Sequence, residues 1–408
     1  MKILIANWVY NRGSTGFLTR DLVESLSQMG HEVTAATAVM YGEDPRVRKF
    51  TTLKEWNFYW RLGRLGLPRF CGSKKAVKLL IQQIEEERPD VVNLHLLHCH
   101  TIDLYAVLRY LGEHNIKTVI TNHAEVYLTG NCEHAYNCRR WIENQCKGCP
   151  DKQQATGALA FGCPHLNWLL MQKSIAYFKP ENLYFTAVSP WLRDRVSRSP
   201  ITKAFQCDAV LNGLDTDVFY PRKHNRTIAK RIGTDDFVLH VTATFNPHDT
   251  DGVKGSSQLV KLAETMPEQL FVVVATKVKN VEQLPKNIYV WGEAKNQDEL
   301  ADLYSAAKIT VIVSRRETFS MVTAESLCCG TPVVGYMAGG PESITIPEAS
   351  YFVEQGNVDD LHMAILDMST KNIDLIALSN EARRKFSSET MAKSYLAVYK
   401  KVTRSFCH

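Results

Sequence analysis

The sequence predicts an α/β protein of two doubly wound parallel-sheet domains facing each other across a cleft. Three observations carry this. Short β-branched runs alternate with amphipathic helical stretches, the pattern of parallel strands covered by helices on both faces. The alternation runs twice, with one set ending near Ser189 and a second beginning near Asp208. The length of 408 residues suits two or three domains at about 150 residues each.

The strands of the first set are KILIAN (2–7), EVTAAT (32–37), VVNLH (91–95), KTVITNH (117–123) and LYFTAVS (183–189). Those of the second are DAVLNG (208–213), FVLHVTA (237–243), LFVVVAT (270–276), IYVWG (288–292) and ITVIVS (309–314). Helical segments such as FLTRDLVESLSQMG and LVKLAETMP lie between most of them. The expected domains are 1–190, carrying a cysteine-rich insert over 129–165, then 191–387, and a lone amphipathic helix over 388–408 that packs back on the first. Ligands of such sheets bind outside the carboxyl ends of the strands.

Composition excludes several classes. Hydrophobic residues make up 45% and charged residues 22%, which argues against disorder and against a fibrous repeat. No run of about 20 apolar residues suggests a membrane-spanning helix. The apolar run after Lys2 soon meets Asn7, Asn11 and Arg12, so it reads as a buried strand rather than a signal peptide. The chain is expected in the cytosol, where thiols stay reduced. A net charge of +5 is too small for a bulk nucleic-acid binder.

The stretch SRRETFSMVTAESLCCGTPVVGYMAGGPESI, 314–344, places Glu317 in the loop after a strand and Glu325 in the helix that follows. Free backbone N–H groups at Phe319, Ser320 and Met321 would open that helix, a ready site for phosphate or sugar oxygens. Taken as an isolated pair, Glu317 could merely complement the helix dipole and Glu325 could be a surface charge. The surroundings say more. Two glutamates with seven residues between them, then Gly330-Thr331-Pro332-Val333-Val334, then Gly339-Gly340-Pro341-Glu342, resemble the signature of the retaining glycosyltransferases of family four. The resemblance implies the GT-B fold of two Rossmann-like domains and catalysis without a required cofactor. It implies that Glu317 contacts the donor sugar, that the amides of Phe319, Ser320 and Met321 hold sugar and phosphate, and that Glu325 holds the ribose hydroxyls. The family's usual Glu-Gly-Phe-Gly reads Glu317-Thr318-Phe319-Ser320 here.

Further matches follow in the family's order. Asn212-Gly213 resembles the motif that opens the nucleotide domain. Gly252-Val253-Lys254-Gly255 places Lys254 where the family holds the donor diphosphate. The arginine usual a few residues earlier is missing; His248, Asn246, Arg315 or Arg316 could supply its role, or the site could manage with one cation. Gly13-Ser14-Thr15-Gly16 follows the first strand and opens a helix, so Gly16 is expected to bring backbone N–H groups to the phosphates. It is not a G-x-G-x-x-G dinucleotide fingerprint. His123 ends KTVITNH, where the family presents a histidine close to the donor sugar and the acceptor.

Eleven cysteines are unevenly placed. Cys132, Cys138, Cys146 and Cys149 fall within 129–150, the last two as a Cys-x-x-Cys pair. Four thiolates can close a tetrahedral structural zinc site, with His134, Cys163 and His165 as reserve ligands; free buried thiols and redox chemistry are the other readings. The block His123, Thr129-Gly130-Asn131-Cys132, Cys138, Trp141 and Cys146 to Pro150 resembles the subgroup of colanic acid and related exopolysaccharide glycosyltransferases. That subgroup usually has His-Asp where this chain has His123-Ala124, and Glu125 is the candidate acidic partner.

Residues 46–78 carry ten Lys or Arg against the single acid Glu55, interleaved with Phe50, Trp56, Phe58, Tyr59, Trp60 and Phe70. This mixture suits an anionic membrane surface, or a solvated helix face over core aromatics. Nucleic acid is disfavoured because no recognised module is present. The reading is a cytoplasmic enzyme, peripheral on the inner face of the plasma membrane, that moves a sugar from a nucleotide diphosphate sugar to a growing, polyprenyl-linked glycan. A nucleotide-sugar epimerase on the same fold and an inactive zinc-containing binding protein are the alternatives.

Overall fold

The computed structural model describes residues 1–97, 100–222, 226–250 and 252–404; the last four residues of the expected C-terminal segment lie outside these. The chain forms two compact units, Met1–Gly213 with Met391–His408, and Leu214–Thr390.

The first unit holds a seven-stranded, all-parallel sheet: β1 (Lys2–Tyr10), β2 (Glu32–Met40), β3 (Val47–Lys49), β4 (Val91–Leu94), β5 (Thr118–Asn122), β6 (Leu183–Ala187) and β7 (Gln206–Ala209), in the order β3-β2-β1-β4-β5-β6-β7. Its central strands are buried on both faces. Ile3, Leu4, Ile5 and Ala6 of β1 are all buried, which is why they read as one continuous apolar run. The segment near Asp208, expected to open the second set, instead closes this first sheet, with Tyr184 of β6 beside Gln206 of β7.

The last helix, Ser388–Thr403, returns to this unit. Met391, Tyr395, Val398, Tyr399 and Val402 recur at helical spacing and sink into the same core as Ile3, Leu22, Val33 and Val91. Burying a side chain of that size contributes about 1.5–3 kcal/mol, so the helix is an integral layer of the unit.

The second unit holds six parallel strands: β8 (Phe237–Phe245), β9 (Leu270–Val278), β10 (Ile288–Gly292), β11 (Ile309–Ile312), β12 (Val333–Tyr336) and β13 (Ser350–Val353), in the order β10-β9-β8-β11-β12-β13. Val238, Phe271, Val273, Val311 and Val334 meet Leu259, Leu262 and Ile365 from the covering helices. In each sheet the strand order reverses once, between β1 and β4 and between β8 and β11. The loops after those strands therefore flank the crevice where ligands of doubly wound sheets bind.

Candidate active site

The β8–β11 reversal of the second unit assembles the acidic and basic groups singled out above. The loop after β8 ends in Gly255, whose φ of +69° is left-handed; a Cβ there would stand 1.9 Å from the carbonyl oxygen of Val313. Only glycine lets the loop lie so close to the end of β11. The Arg315 N–H donates to the Val253 carbonyl at 2.8 Å, tying the two loops together. As a result the Lys254 ammonium donates to Glu317 Oε1 at 2.7 Å. The two residues, 63 positions apart in sequence, form one half-exposed ion pair at the switch point.

Glu317 is fixed from its backbone. Its N–H donates to the Ala338 carbonyl at 3.0 Å, and its own carbonyl accepts from the Gly340 N–H at 2.8 Å. This explains the Gly339-Gly340 pair, since a Cβ on Gly340 would stand 2.5 Å from the Phe319 nitrogen. The Phe319 side chain is buried, edge-on to Phe386. Ser320 takes a left-handed φ of 85° and caps the helix Met321–Cys328, its Oγ accepting from the Thr323 N–H. The capping leaves the amides of Phe319, Ser320 and Met321 at the positive end of the helix, where the first N–H groups have no intrahelical carbonyl.

One turn on, Glu325 Oε2 accepts from the hydroxyl of the fully buried Tyr304 at 2.9 Å. Burial raises the Glu325 carboxyl to about 7, although the tyrosine bond pulls the other way. Tyr304 carried no motif in the sequence. Of the candidates for the missing arginine, the Asn246 side chain is engaged, its Oδ1 accepting from Asn280 Nδ2 at 3.0 Å, and His248 is exposed. Arg315 and Arg316 lie on the loop bonded to that of Lys254.

In the first unit Gly13-Ser14-Thr15-Gly16 is already the first turn of a helix, Gly13–Gln28. Gly16 sits close to β1: its carbonyl accepts from the Asn11 N–H at 3.0 Å, and a Cβ would press on Val9 at 3.2 Å. His123 follows β5 and its Nε2 lies 2.9 Å from Nδ1 of His95, which follows β4. Burial drives the His123 imidazole down to about 4, so it is neutral near pH 7. Glu125 proves to be engaged elsewhere. It is wholly buried, ion-paired with Arg195, and accepts the Ala135 N–H at 2.6 Å. The Arg195 guanidinium also covers the rings of Trp141 and Trp191. His95 was visible in the sequence only as the end of a strand.

Two family models match this chain. That described as Glycosyltransferase Family 4 covers residues 16–153, and that described as Glycosyl transferases group 1 covers 245–388. The chain is a glycosyltransferase. N-acetyl-alpha-D-glucosaminyl L-malate synthase of Bacillus anthracis is 28% identical over 99% of this glycosyltransferase and 98% of its own length. D-inositol 3-phosphate glycosyltransferase of Xylanimonas cellulosilytica is 29% identical, over 37% of this chain and 40% of that protein. Sucrose-phosphate synthase from Thermosynechococcus elongatus superposes with a TM-score of 0.67 at 16% identity, covering 98% of both chains. Anabaena HepE in complex with UDP-glucose superposes at 0.64 and 15%, covering 98% of this chain and 99% of that one. The fold is GT-B.

The cysteine segment of the glycosyltransferase gathers Cys132, Cys138, Cys146 and Cys149 in one neighbourhood. Burial drives the Cys132 and Cys146 thiols up to about 12, and the neighbouring thiols add to the rise. The Cys146 thiol approaches the Thr129 carbonyl at 3.8 Å, and Trp141 anchors the segment through Nε1 to the Cys138 carbonyl at 2.8 Å. The described cysteines are all unbridged. Among the described residues no group of three or more His, Cys, Asp or Glu is arranged to hold a metal ion.

The basic stretch 46–78 divides in two. Arg46 pairs with Glu24 and Asp44, and Arg48 with Glu86 and Glu87. Arg69 is buried on Glu133, while Phe50 and Phe70 belong to the core and Trp56 packs on Trp8. The helix Leu53–Leu65 is different. It exposes Leu53, Phe58, Trp60 and Leu65, and the Leu159 N–H joins it at the Arg64 carbonyl, bringing up exposed Leu159 and Phe161. No described helix is long and apolar enough to cross a membrane.

Proposed function

We propose that this glycosyltransferase moves a sugar, with retention of anomeric configuration, from a nucleoside diphosphate to a growing glycan on a polyprenyl diphosphate carrier. The observation that carries the reading is the Lys254–Glu317 pair at the β8–β11 switch point, beside a helix start and one turn from Glu325. In the reaction the bond from the anomeric carbon to the diphosphate oxygen breaks, a bond to an acceptor hydroxyl oxygen forms, and the hydroxyl proton leaves with the diphosphate. Lys254 and the amides of Phe319, Ser320 and Met321 stabilise charge developing on the leaving diphosphate. Glu317 orients the sugar and Glu325 accepts from the ribose hydroxyls. Gly16 adds its helix start to the phosphates, and His123 contacts sugar or acceptor. The complex of HepE with UDP-glucose supports a nucleotide sugar as donor. A nucleotide-release assay over UDP-, GDP- and dTDP-sugars tests the reading; no release from any donor with acceptor extract present would refute it.

The likeness of the cysteine segment to exopolysaccharide enzymes supports a capsular or exopolysaccharide product. The exposed apolar side chains of Phe58, Leu65 and Phe161 beside Lys54, Arg61 and Arg64 support docking on the anionic inner face of the plasma membrane, apolar groups entering the interface and cations meeting lipid phosphate. A structural zinc on Cys132, Cys138, Cys146 and Cys149 draws its support from their spacing in the sequence, which ends in a Cys-x-x-Cys pair. Metal analysis of purified protein tests it, and well under one zinc per chain would remove it.

A further inference from the structure

The imidazole pair at the ends of β4 and β5 is joined to a chain of buried hydrogen bonds that reaches the last helix. Asn93, on β4, is wholly buried. Its Oδ1 accepts from Thr121 Oγ1 at 3.1 Å. Thr121 Oγ1 itself accepts from Thr186 Oγ1 at 2.9 Å and from the Tyr395 hydroxyl at 3.3 Å. With both lone pairs occupied, the Thr121 hydroxyl has its proton free for Asn93, and this sets the orientation of the amide. The Asn93 NH₂ therefore donates twice, to the Tyr399 hydroxyl at 2.7 Å and to His95 Nε2 at 3.0 Å.

A histidine whose Nε2 accepts must carry its proton on Nδ1. That nitrogen lies 2.9 Å from His123 Nε2. His123 Nε2 is then an acceptor, and the remaining proton of the ring sits on its Nδ1. The His95 backbone is fixed as well, its carbonyl accepting from the Tyr127 hydroxyl at 3.0 Å. His95 is 1% exposed, whereas His123 retains some access to solvent. One imidazole can meet a ligand and the other can act only through it.

We infer that His95 is the positioning residue for His123, holding it as the Nδ1–H tautomer through an Asn93–His95–His123 relay anchored on Tyr399. The inference rests on the reading of His123 as a residue that contacts sugar or acceptor. In that role the tautomer decides which ring nitrogen can give a hydrogen bond and which can only receive one. A ring free to exchange tautomers or to rotate would be competent only part of the time. Burial favours the uncharged form of both rings, so the relay carries one proton per ring.

The test uses the full chain labelled with ¹⁵N-histidine, with His123→Gln to assign the signal. The wild type is expected to show the Nδ1–H pattern at His123. His95→Phe, which keeps a ring but has no N–H, is expected to give averaged nitrogen shifts at His123 and a roughly tenfold lower kcat with little change in donor KM. His95→Asn, whose amide can present an N–H near the place of Nδ1, should restore most of both. Should His95→Phe fail to fold, Tyr399→Phe loosens the relay from its far end and is expected to broaden the same His123 signals. An Nε2–H pattern in the wild type, or shifts unaltered in the variants, overturns the assignment. Full transfer by His123→Gln would instead overturn the functional reading of His123, while the nitrogen shifts decide the role of His95 separately.

Discussion

Donor affinity should rise with pH through neutrality, and Glu325 should be the cause. Burial raises its carboxyl from 4.5 to about 7. Ribose hydroxyls donate best to the ionised form, so only that fraction binds at full strength. About one tenth is ionised at pH 6 and about nine tenths at pH 8, a gain of about tenfold, or about 1.4 kcal/mol. The perturbations are Glu325→Gln, which should hold affinity low and flat across the range, and Tyr304→Phe, which removes a bond favouring the carboxylate and should move the midpoint upward. The assay is calorimetric titration with an intact sugar nucleotide, whose phosphodiesters do not titrate here, at constant ionic strength. Linkage sets a second sign. Because the folded pKa is raised, the group's contribution to stability is full below about 4.5 and lost as pH rises through about 7. Equal pH dependence in wild type and Glu325→Gln would refute the reasoning.

Lys254→Ala should leave the melting temperature nearly unchanged, because a half-exposed ion pair contributes about 0–1 kcal/mol, yet lower kcat by about 10²–10³-fold if it stabilises the leaving diphosphate; an unaltered kcat counts against that role. Glu125→Gln should cost about 3–5 kcal/mol of stability by leaving Arg195 without its buried partner, measured by urea unfolding, with the loss largely absent when Arg195 is replaced by Met as well. Combined Arg61→Glu, Arg64→Glu and Phe161→Ser should reduce binding to anionic liposomes without loss of fold, whereas Arg69→Glu should destabilise the protein because that side chain is buried; unchanged sedimentation with vesicles would rule out this surface.

The long central strands were legible because they are buried on both faces and so are apolar throughout; Ile3 to Ala6 and Val238 to Leu239 carry no competing signal. The edge strands β3 and β13, with three and four residues, are too short and too exposed to impose a period. Each is held by pairing with the strand just before it in the chain, β2 and β12, rather than by an apolar pattern of its own. The strand near Asp208 was visible, but which sheet it joins depends on pairing with β6, a non-local choice. The site followed the same rule. Lys254 sits in a glycine-bearing loop, Glu317 in the loop after a strand and Glu325 in the helix that follows, a spacing that is local. Tyr304 and His95 act through partners 21 and 28 positions away, and nothing in their own surroundings marks them. The acidic partner foreseen for His123 was misassigned for a related reason: Glu125 is adjacent in sequence, but its carboxylate is committed to Arg195 from another helix.

The return of the final helix to the first unit also sets an order of assembly. Leu214–Thr390 is an insertion between two parts of one core, and its ends are stitched together where the Leu214 N–H donates to the Phe386 carbonyl and the Ser388 N–H to that of Leu214. During synthesis at about 5–20 residues per second, the layer completed by Tyr395 and Tyr399 stays open until the whole insertion has left the ribosome. The inserted unit can fold while its host is still missing a wall. A stop codon only a few residues upstream of Met391 would leave every strand of both sheets intact in the product, and would still empty the site behind Asn93 where the Tyr399 hydroxyl belongs.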